Sequence, residues 1–405
     1  MPEIETEVVI IGAGPVGACL AALLGSQGVN CVVIDAREEN TQGRDGQADP
    51  RVLALTHASR RILQSFDLWR QLPQQRIGRF RCMHVWDENG KGEIRFDSAD
   101  LCKQTLGYIV EQSQLQHHLD RILEYLPCVS VFRGASPKGL VWGKEWLTVT
   151  LDNQSFNARV VVAADGIHSW TRRFADIGYR LHDYKQQAVA CTVTTALPHE
   201  QVARQRFLTN GPLAFLPLAD SNRCGIVWST STHHARQLLD LDKENFNRVL
   251  QSSFANTLGE IIESGPRSCF PLQRAQAEHY CKERLVLAGD AAHSIHPLAG
   301  QGANLGLLDA ASLGQVLLEA RSRQKDIGNM RVLRRYERWR KGENRFMMVL
   351  CEGLKTLFET QTTPLPLLRN TGLDLVNSSS PVKHFIMRHA MGLAGDLPAI
   401  ARVYG

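Results

Sequence analysis

Apolar residues near the start of the chain follow the spacing of a strand, a helix and a second strand. Residues 7–11 are a short run rich in β-branched side chains, residues 16–24 have helical spacing that ends by Gly28, and residues 31–35 are again apolar. A strand, a helix and a strand over so short a stretch form the βαβ unit of a parallel sheet. The chain is therefore predicted to begin with an α/β layer.

The middle of the chain changes from helical spacing to alternation. A capping box of Ser113 and Gln116 predicts the start of a helix, and residues 146–151 and 156–162 alternate as the two strands of a hairpin. Residues 187–230 then hold several short strand-like runs without helices between them. Consecutive strands of this kind favour an antiparallel sheet.

The last third of the chain returns to α/β patterns. Residues 284–290 predict another strand and turn, and helical spacing follows over residues 303–322 and 331–360. The predicted fold class is α/β: a Rossmann-like βαβ domain, an inserted antiparallel sheet and a helical C-terminal segment.

Composition narrows the classes of function. The 46 basic and 41 acidic residues leave a net charge of only +5, and nucleic-acid binders concentrate positive charge far more, so no nucleic-acid partner is predicted. The ten cysteines form no CxxC pair and no metal spacing, which predicts neither a metal site nor a disulfide framework. No run of about 18 apolar residues occurs. Glu3, Glu5 and Glu7 stand where a signal peptide would be basic and then apolar, so we expect a cytoplasmic protein.

A glycine cluster joins the first strand to the first helix. Residues 12–17 read GAGPVG, in which Gly12 permits a tight turn, Gly14 lets a pyrophosphate approach the backbone, and Gly17 lets helix and strand pack closely. The helix N-terminus offers free amides to phosphates. Asp35 ends the second strand, where a carboxylate can hold ribose hydroxyls. The pattern predicts dinucleotide binding but does not separate NAD from FAD.

Two later motifs favour FAD. Asp165 and Gly166 follow the hairpin, and residues 289–293 (GDAAH) follow another strand and lead into residues 297–306 (PLAGQGANLG), which open a helix. A carboxylate at a strand end can bind the hydroxyls of a ribityl chain, and glycines bring amides and a helix N-terminus to an electron-rich ring. Such a cradle stabilises negative charge on a reduced flavin, whereas a nicotinamide does not need it.

In this order the three motifs resemble those of the class A flavoprotein monooxygenases, the para-hydroxybenzoate hydroxylase-like group. Further stretches resemble the ubiquinone-biosynthesis hydroxylases of that group over nearly the whole chain. They read PRV at 50–52, GYIVE at 107–111, AFLPL at 214–218, LRRYER at 333–338 and RHAMGL at 388–393. The resemblance is closest to the bacterial branch that hydroxylates position 5 of a polyprenylphenol ring.

The resemblance implies a reaction and a set of partners. FAD, molecular oxygen and NAD(P)H as a transient reductant would insert one oxygen atom into a polyprenylphenol through a flavin 4a-hydroperoxide. A homo-oligomer and a complex with other ubiquinone-biosynthesis proteins are both compatible with it. It also implies an FAD-binding domain of residues 1–75, 100–180 and 270–345, a substrate domain of 76–99 and 181–269, and a helical segment of 346–405.

Cofactor contacts follow from the resemblance by position. Gly12, Gly14 and Gly17 would face the pyrophosphate, Asp35 the adenosine ribose, Arg51 the flavin, Asp165 the pyrophosphate region and Asp290 the ribityl and phosphate portion. Gly300, Gly302, Ala303 and Asn304 would border the isoalloxazine. Asp35 replaces a Glu that many relatives have, and Ala303 replaces a common Val.

Candidates for chemistry and substrate contact are fewer. His293, His296 and Pro297 lie in the loop expected beside the flavin, where a histidine could act as a base or simply hold the loop backbone. Phe215 and Pro217 lie on a strand expected to cover the substrate, and their alternative is ordinary sheet core.

Two other classes of function remain open. Another flavoenzyme is one alternative, although the Trp-x-Trp element of flavin halogenases is absent because Trp142 and Trp146 are four apart. A prenyl-binding carrier without flavin chemistry is the other, and the three intact flavin motifs argue against it.

The C-terminal helices carry a pattern compatible with peripheral contact to the inner membrane. Seven basic residues form one stretch: Arg331, Arg334, Arg335, Arg338, Arg340, Lys341 and Arg345. Four apolar residues then share one helical face: Met347, Cys351, Leu354 and Phe358. Basic residues beside an amphipathic face can lie on anionic lipid, and a helix packed on its own core gives the same pattern.

Overall fold

A computed structural model describes residues 3–38, 49–88, 92–295, 300–359 and 380–402. The strands are β1 Glu3–Ile11, β2 Cys31–Asp35, β3 Val52–Leu55, β4 Gly78–Phe80, β5 Cys82–Asp87, β6 Glu93–Asp97, β7 Gly107–Glu111, β8 Val129–Arg133, β9 Gly139–Trp142, β10 Leu147–Thr150, β11 Ser155–Ala163, β12 Tyr179–Thr195, β13 Val202–Leu208, β14 Gly211–Pro217, β15 Arg223–Ser231, β16 Ile261–Ser264, β17 Ser268–Ala277, β18 Cys281–Lys282, β19 Leu285–Leu287 and β20 His293–Ser294. The α-helices are α1 Pro15–Gly25, α2 His57–Gln64, α3 Leu68–Gln71, α4 Gln112–Tyr125, α5 Trp170–Phe174, α6 Thr232–Asp240, α7 Lys243–Ser253, α8 Gln301–Ser322, α9 Met330–Glu359 and α10 Ser380–Ala390.

The first sheet has the strand order β18-β19-β11-β1-β2-β8. Strand β1 pairs in parallel with both β11 and β2, and β11 pairs in parallel with β19. Val8, Val9 and Ile10 are fully buried, as expected for a central strand covered on both faces. The predicted βαβ start and α/β class are confirmed, as is the hairpin, since β10 pairs antiparallel with β11.

Three loops leave this sheet at the same edge. Gly12 follows β1, Ala164 follows β11 and Ala288 follows β19, and these three strands are parallel neighbours. The carboxyl ends of parallel strands are where open α/β sheets bind ligands. The sheet therefore brings together motifs that lie more than a hundred residues apart in the chain.

The second sheet is largely antiparallel and has the order β20-β17-β12-β15-β14-β13-β5-β6. The predicted antiparallel insertion is confirmed, because β12, β15, β14 and β13 pair antiparallel in succession. Strand β17 pairs with β12 from Ala277 back to Ser268, so the predicted domain boundary at residue 270 falls inside a strand of this sheet.

The C-terminal helices pack differently from the predicted lipid-facing pattern. Cys351 is buried in a small cluster with Ile295 and Leu305, and Met347 packs against that cluster. This apolar face of α9 therefore contacts the protein's own core, while the side chains of Leu354 and Phe358 lie outside the described part of the chain. Within the described ranges, no helix combines the length and apolar character needed to cross a membrane.

Candidate active site

A cavity of about 540 Å³ lies between the loops of the parallel sheet and one face of the antiparallel sheet. Gly14, Asp290 and Gly302 border it on the loop side, and Ala214 and Leu216 border it on the sheet side. Its far end is apolar and is formed by six side chains: Phe80, Met83, Phe96, Leu106, Met387 and Met391. One continuous space thus joins the glycine loops to an apolar pocket under α10.

The first glycine cluster forms the tight turn that its spacing predicts. Gly12 has φ +103°, and a Cβ added there would lie 2.3 Å from the Ala164 carbonyl oxygen. A Cβ on Gly17 would lie 1.9 Å from the Gly12 carbonyl oxygen. Gly14 has φ −63° and caps α1, and a Cβ there would meet no atom within 4 Å because the cavity lies in front of it. Gly12 and Gly17 therefore let the backbone pack, and Gly14 leaves room for a ligand.

Two substitutions in this loop should separate packing from ligand binding. We expect Gly14→Ala to fold normally but to bind FAD about tenfold more weakly, because its methyl group would occupy ligand space. Gly12→Ala should instead lower the free energy of unfolding by about 1–3 kcal/mol through overpacking and backbone strain. Chemical denaturation and FAD titration of both variants measure the two effects. Unchanged FAD affinity in Gly14→Ala would contradict the assignment of Gly14 to the cofactor-binding side of the cavity.

Asp35 ends β2 as predicted, but its carboxylate already has protein partners. It accepts hydrogen bonds from the Ala13 amide at 2.5 Å and from the Arg37 amide and guanidinium at 2.8–3.0 Å. Burial opposes ionisation of Asp35, but the bonds from Arg37 and Ala13 outweigh it and lower its pKa. Asp35 thus holds the glycine loop, and Arg37 extends from it as a half-exposed polar group. A contact of Asp35 with the adenosine ribose stays a proposal.

Asp165 supports the second loop rather than bordering the cavity. Its Oδ2 accepts hydrogen bonds from the Thr171 amide at 3.0 Å and hydroxyl at 2.9 Å, while its buried Oδ1 has no partner within the described ranges. The nearby Arg172, which the sequence did not single out, donates to the Ala291 carbonyl at 2.7 Å and the Ile167 carbonyl at 2.8 Å. Arg172 therefore ties the second loop to the third.

Asp290 faces the cavity on the third loop. Its carboxylate has no hydrogen-bond partner among the described residues. Asp290 is exposed to the open space of the cavity. Loss of hydration among the surrounding protein atoms nevertheless raises its pKa, the charge of His293 opposes this shift, and the charge of Asp309 adds to it. An unpaired carboxyl group aimed into a cavity is the arrangement expected of a group that receives hydroxyls from a ligand.

Behind Asp290 lies a buried network centred on Asp309 of α8. Its Oδ2 accepts from His293 Nε2 at 2.5 Å and from the Gly289 amide at 3.1 Å, and its Oδ1 accepts from Arg340 at 2.8 Å and Asn344 at 3.1 Å. Burial would raise the pKa of Asp309, but the charges and hydrogen bonds of His293 and Arg340 lower it to about 2. Asp309 thus holds both ends of the Asp290 loop.

This network argues against His293 as the catalytic base. His293 is 2% exposed, does not border the cavity and uses Nε2 for Asp309, so its geometry is that of a loop support rather than a base acting on substrate. His296 and Pro297 lie outside the described residues. Arg340, predicted in the basic surface stretch, is 1% exposed and pairs with Asp309 instead.

The start of α8 forms the remaining edge of the loop side. Gly300 takes the left-handed conformation at φ +60°, and a Cβ on Gly302 would meet nothing within 4 Å. Ala303 also borders the cavity. The Asn304 side chain is fully used by the protein: it accepts from the Thr56 amide and the Ser59 hydroxyl, and it donates to two carbonyls. Asn304 therefore fixes the shape of this edge, while Gly300, Gly302 and Ala303 leave open backbone beside the cavity.

The opposite wall differs from the prediction by one residue along β14. Phe215 is fully buried on the other face of the sheet, where it stacks on Phe254 with ring centroids 3.7 Å apart, and Pro217 does not border the cavity either. Alternate residues of a strand face opposite sides, so Ala214 and Leu216 form the wall instead. Arg51 borders the cavity, and its guanidinium lies 4.8 Å from the centroid of the Phe270 ring, while its predicted contact with the flavin stays a proposal.

The loop side fits FAD on two observations. Gly14 and Gly302 each leave open space beside a helix N-terminus, and Asp290 presents a carboxyl group without a partner among the described residues. The open backbone suits a pyrophosphate and a flavin ring, and the carboxyl group suits ribityl hydroxyls. These residues define a dinucleotide-type cofactor site next to an apolar substrate space.

Comparison with known proteins agrees with this class. Residues 5–343 match the family described as FAD binding domain. Ubiquinone hydroxylase UbiL of Rhodospirillum rubrum is 35% identical over 389 residues, covering 95% of this chain and 89% of that protein. The 3-demethoxyubiquinol 3-hydroxylase of Escherichia coli is 33% identical over 394 residues, covering 97% and 100%. Human ubiquinone biosynthesis monooxygenase COQ6, mitochondrial, is 32% identical over 433 residues, covering 95% and 92%.

Solved structures share the fold. The p-nitrophenol 4-monooxygenase PnpA of Pseudomonas putida superposes with a TM-score of 0.78 at 21% identity, covering 96% of this chain and 98% of that one. PqsL of Pseudomonas aeruginosa, solved with 2-aminobenzoylacetate, has a TM-score of 0.77 at 22% identity, covering 91% and 99%.

The family match and these relatives identify the chain as an FAD-dependent monooxygenase, and enzymes of this class typically take electrons from NAD(P)H and use molecular oxygen. Within that class, the chain belongs to the FAD-binding family that includes the ubiquinone-biosynthesis hydroxylases.

Proposed function

We propose that this enzyme hydroxylates the aromatic ring of a polyprenylphenol during ubiquinone biosynthesis. The observation that carries the proposal is the continuous cavity, which runs from the open backbone at Gly14 and Gly302 to the apolar end beneath α10. An aromatic ring beside the loops and a prenyl tail in the apolar end would fill it. The relatives from Rhodospirillum rubrum, Escherichia coli and human are named as ubiquinone hydroxylases or ubiquinone-biosynthesis enzymes, which supports the same pathway for this chain.

In the proposed reaction, the chain's residues bind the cofactor, orient the substrate ring and exclude water from the site. When bound, FAD supplies the redox chemistry that activates oxygen at the expense of NAD(P)H. We assign Asp290 and the open backbone at Gly14, Gly300, Gly302 and Ala303 to holding the cofactor. Ala214, Leu216 and the apolar end would press the ring toward it and exclude water. Apart from Asp290, which is assigned to the cofactor, no described residue bordering the cavity is a candidate general base, which is compatible with an electron-rich phenol as the reacting ring.

Isotope labelling tests the proposed reaction. With a short-tailed polyprenylphenol, NADPH and ¹⁸O₂, we expect one heavy oxygen atom in the product ring. The parallel reaction in H₂¹⁸O with ordinary O₂ should leave the product unlabelled. Mass spectrometry of the product measures both, and enzyme without reductant is the control. Label arriving from water, or oxidation without oxygen insertion, would identify a different FAD-dependent oxidoreductase.

We also propose that the enzyme meets its substrate at a membrane surface through an apolar patch different from the predicted one. The patch consists of Phe346 and Val349 on α9 and Val382 and Phe385 on α10, which are 44–64% exposed. His389 lies between the two phenylalanine rings. The buried face of α10 carries Met387 of the apolar cavity end, and Met391 follows the last residue of the helix, so α10 separates the patch from the cavity.

Basic residues beside the patch favour an anionic bilayer as its partner. Arg345 precedes Phe346, Arg388 lies one turn from Phe385, and both are exposed. Each such residue near an anionic lipid surface contributes about 1 kcal/mol. The aromatic and aliphatic side chains between them can enter the headgroup region. The proposal therefore keeps the membrane contact predicted from the sequence but assigns it to other side chains.

A charge placed in the patch should abolish the contact. We expect Val349→Asp/Phe385→Asp to lower flotation with phosphatidylglycerol-containing vesicles about tenfold, because carboxylates would oppose both apolar insertion and anionic lipid. Ile262→Asp is the matched control, since Ile262 is 61% exposed on β16 rather than on either helix. FAD content should be the same in the wild type, the double variant and the control. Equal flotation of these three proteins would show that the patch does not contact the membrane.

A further inference from the structure

Two buried polar side chains interrupt the largely apolar wall that the antiparallel sheet presents to the cavity, apart from Ser294 on the edge strand β20. Gln205 on β13 is 7% exposed and Ser229 on β15 is 3% exposed, and both border the cavity. Neither side chain has a hydrogen-bond partner among the described residues. Their neighbours on the same wall are Ala203, Ala214 and Val227.

Such groups are unusual in a folded protein. Most buried side-chain polar atoms are paired, because an amide or hydroxyl removed from water without a partner costs free energy. On β13 itself, Arg204 donates to the His199 carbonyl and Arg206 donates to the Ser253 carbonyl, although Arg206 Nε has no partner among the described residues. Those two side chains lie on the other face of β13, away from the cavity. The missing partner of Gln205 is therefore to be sought inside the cavity.

The register of the sheet places Gln205 at the border of the apolar end. Ala203, two residues earlier on the same face, pairs with Met83 of β5, and Met83 pairs with Phe96 of β6. On the other side, Gln205 pairs with Ala214 of β14, which also borders the cavity. A ligand that extends from the loops to the apolar end would pass beside the Gln205 amide, near the junction between its loop-side part and its apolar part.

We propose that Gln205 is a substrate-recognition residue whose amide hydrogen-bonds the ring hydroxyl of the phenol, with Ser229 serving a second ring oxygen. The inference rests on the proposed function and deepens it. An amide both donates and accepts, and so does a phenol hydroxyl, so the pair can exchange hydrogen bonds that a methyl ether can form only in part. Holding the hydroxyl at this border directs a neighbouring prenyl tail into the apolar end. It also turns the rest of the ring toward the open backbone at Gly14 and Gly302.

The test compares two probes on three FAD-loaded proteins. The probes are a phenol with a two-isoprenoid tail beside its hydroxyl, and the O-methyl ether of that phenol. The proteins are the wild type, Gln205→Met and Gln237→Met, the last being the same change on an exposed surface of α6. Binding is followed by the change in flavin absorption, and turnover of the phenol is measured alongside.

The expected result is a selective loss for the phenol. Gln205→Met should raise its dissociation constant about tenfold and that of the ether about twofold or less, because only the phenol loses a full amide partner. The thermal unfolding midpoint without substrate should stay equal or rise, since an unpaired buried amide has been replaced by an apolar side chain. Gln237→Met should change nothing. A fourth protein, Ser229→Ala, is tested with a third probe, the same phenol with a second ring hydroxyl. It should bind that probe more weakly than the wild type does and bind the phenol with one hydroxyl equally well.

Several results would overturn the inference. Equal binding of the phenol by the wild type and Gln205→Met would show that the amide holds only water. Equal losses for phenol and ether would show that the side chain matters for shape alone. A lowered unfolding midpoint in Gln205→Met would make the amide a structural group. A wild type that neither binds nor hydroxylates the phenol would overturn the proposed function and this inference with it.

Discussion

Replacing Asp309 with alanine should lower the free energy of unfolding by about 3–5 kcal/mol. The residue is fully buried and accepts hydrogen bonds from His293, Arg340 and two amide groups. Its removal would leave the Arg340 guanidinium, 1% exposed, without a counter-charge. Denaturation with urea at saturating FAD measures the loss, and flavin content should fall too because Asp309 holds the Gly289 amide.

Asp309→Asn and Glu263→Ala are the matched variants. Asparagine keeps part of the hydrogen bonding but not the charge, so an intermediate loss is expected. Glu263 pairs with Lys243 on the surface, where both side chains are more than half exposed, and its removal should change stability little. A small loss in Asp309→Ala, comparable to that in Glu263→Ala, would show that the buried network does not support the fold.

The pH dependence of the Asp309→Asn difference follows from the lowered pKa. The folded protein keeps Asp309 ionised down to about pH 2, whereas the unfolded chain takes up a proton near the ordinary value of 3.8. Stability from this group is therefore fully present above 3.8 and is lost as the pH falls towards 2. The difference between wild type and Asp309→Asn should shrink over that interval and stay constant above it.

The sequence could predict the parts of the fold that have a local signature. Strand β2 begins and ends at the predicted residues, because the turn residues on either side of a short apolar run leave few other positions for the ends of the strand. The glycine loop, the hairpin and the long helices were predictable for similar reasons. The capping box of Ser113 and Gln116 was not correct: α4 begins at Gln112, and Gln116 donates instead to the Ala13 carbonyl of the glycine loop.

Features that depend on tertiary packing escaped prediction. Whether Phe215 or Ala214 forms the cavity wall depends on which face of β14 packs against α7. Both faces of this short strand are apolar, so its sequence does not indicate which face meets the helix. Arg340 lies in a run of basic residues and differs from them only by its distant partner Asp309. That aspartate stands within an apolar stretch of α8, and a charge at such a position was the available signal for a buried pair.

Replacing Asp290 with alanine should weaken FAD binding about 10–100-fold, which corresponds to the roughly 1.5–3 kcal/mol of a hydrogen bond to a charged group. Its carboxyl group borders the cavity and has no hydrogen-bond partner among the residues that the structure describes, so the change removes ligand contacts and leaves the described hydrogen bonds of the fold intact. The unfolding free energy of the FAD-free variant should therefore equal or exceed that of the FAD-free wild type, because loss of hydration already opposes ionisation of this group. Asp290→Asn keeps the shape and part of the hydrogen bonding and should retain more flavin than alanine does. Reconstitution titrations with FAD measure the affinities, and the ratio of flavin to protein after purification gives the same ranking. Full flavin occupancy in Asp290→Ala would show that the Asp290 carboxyl group does not bind the cofactor.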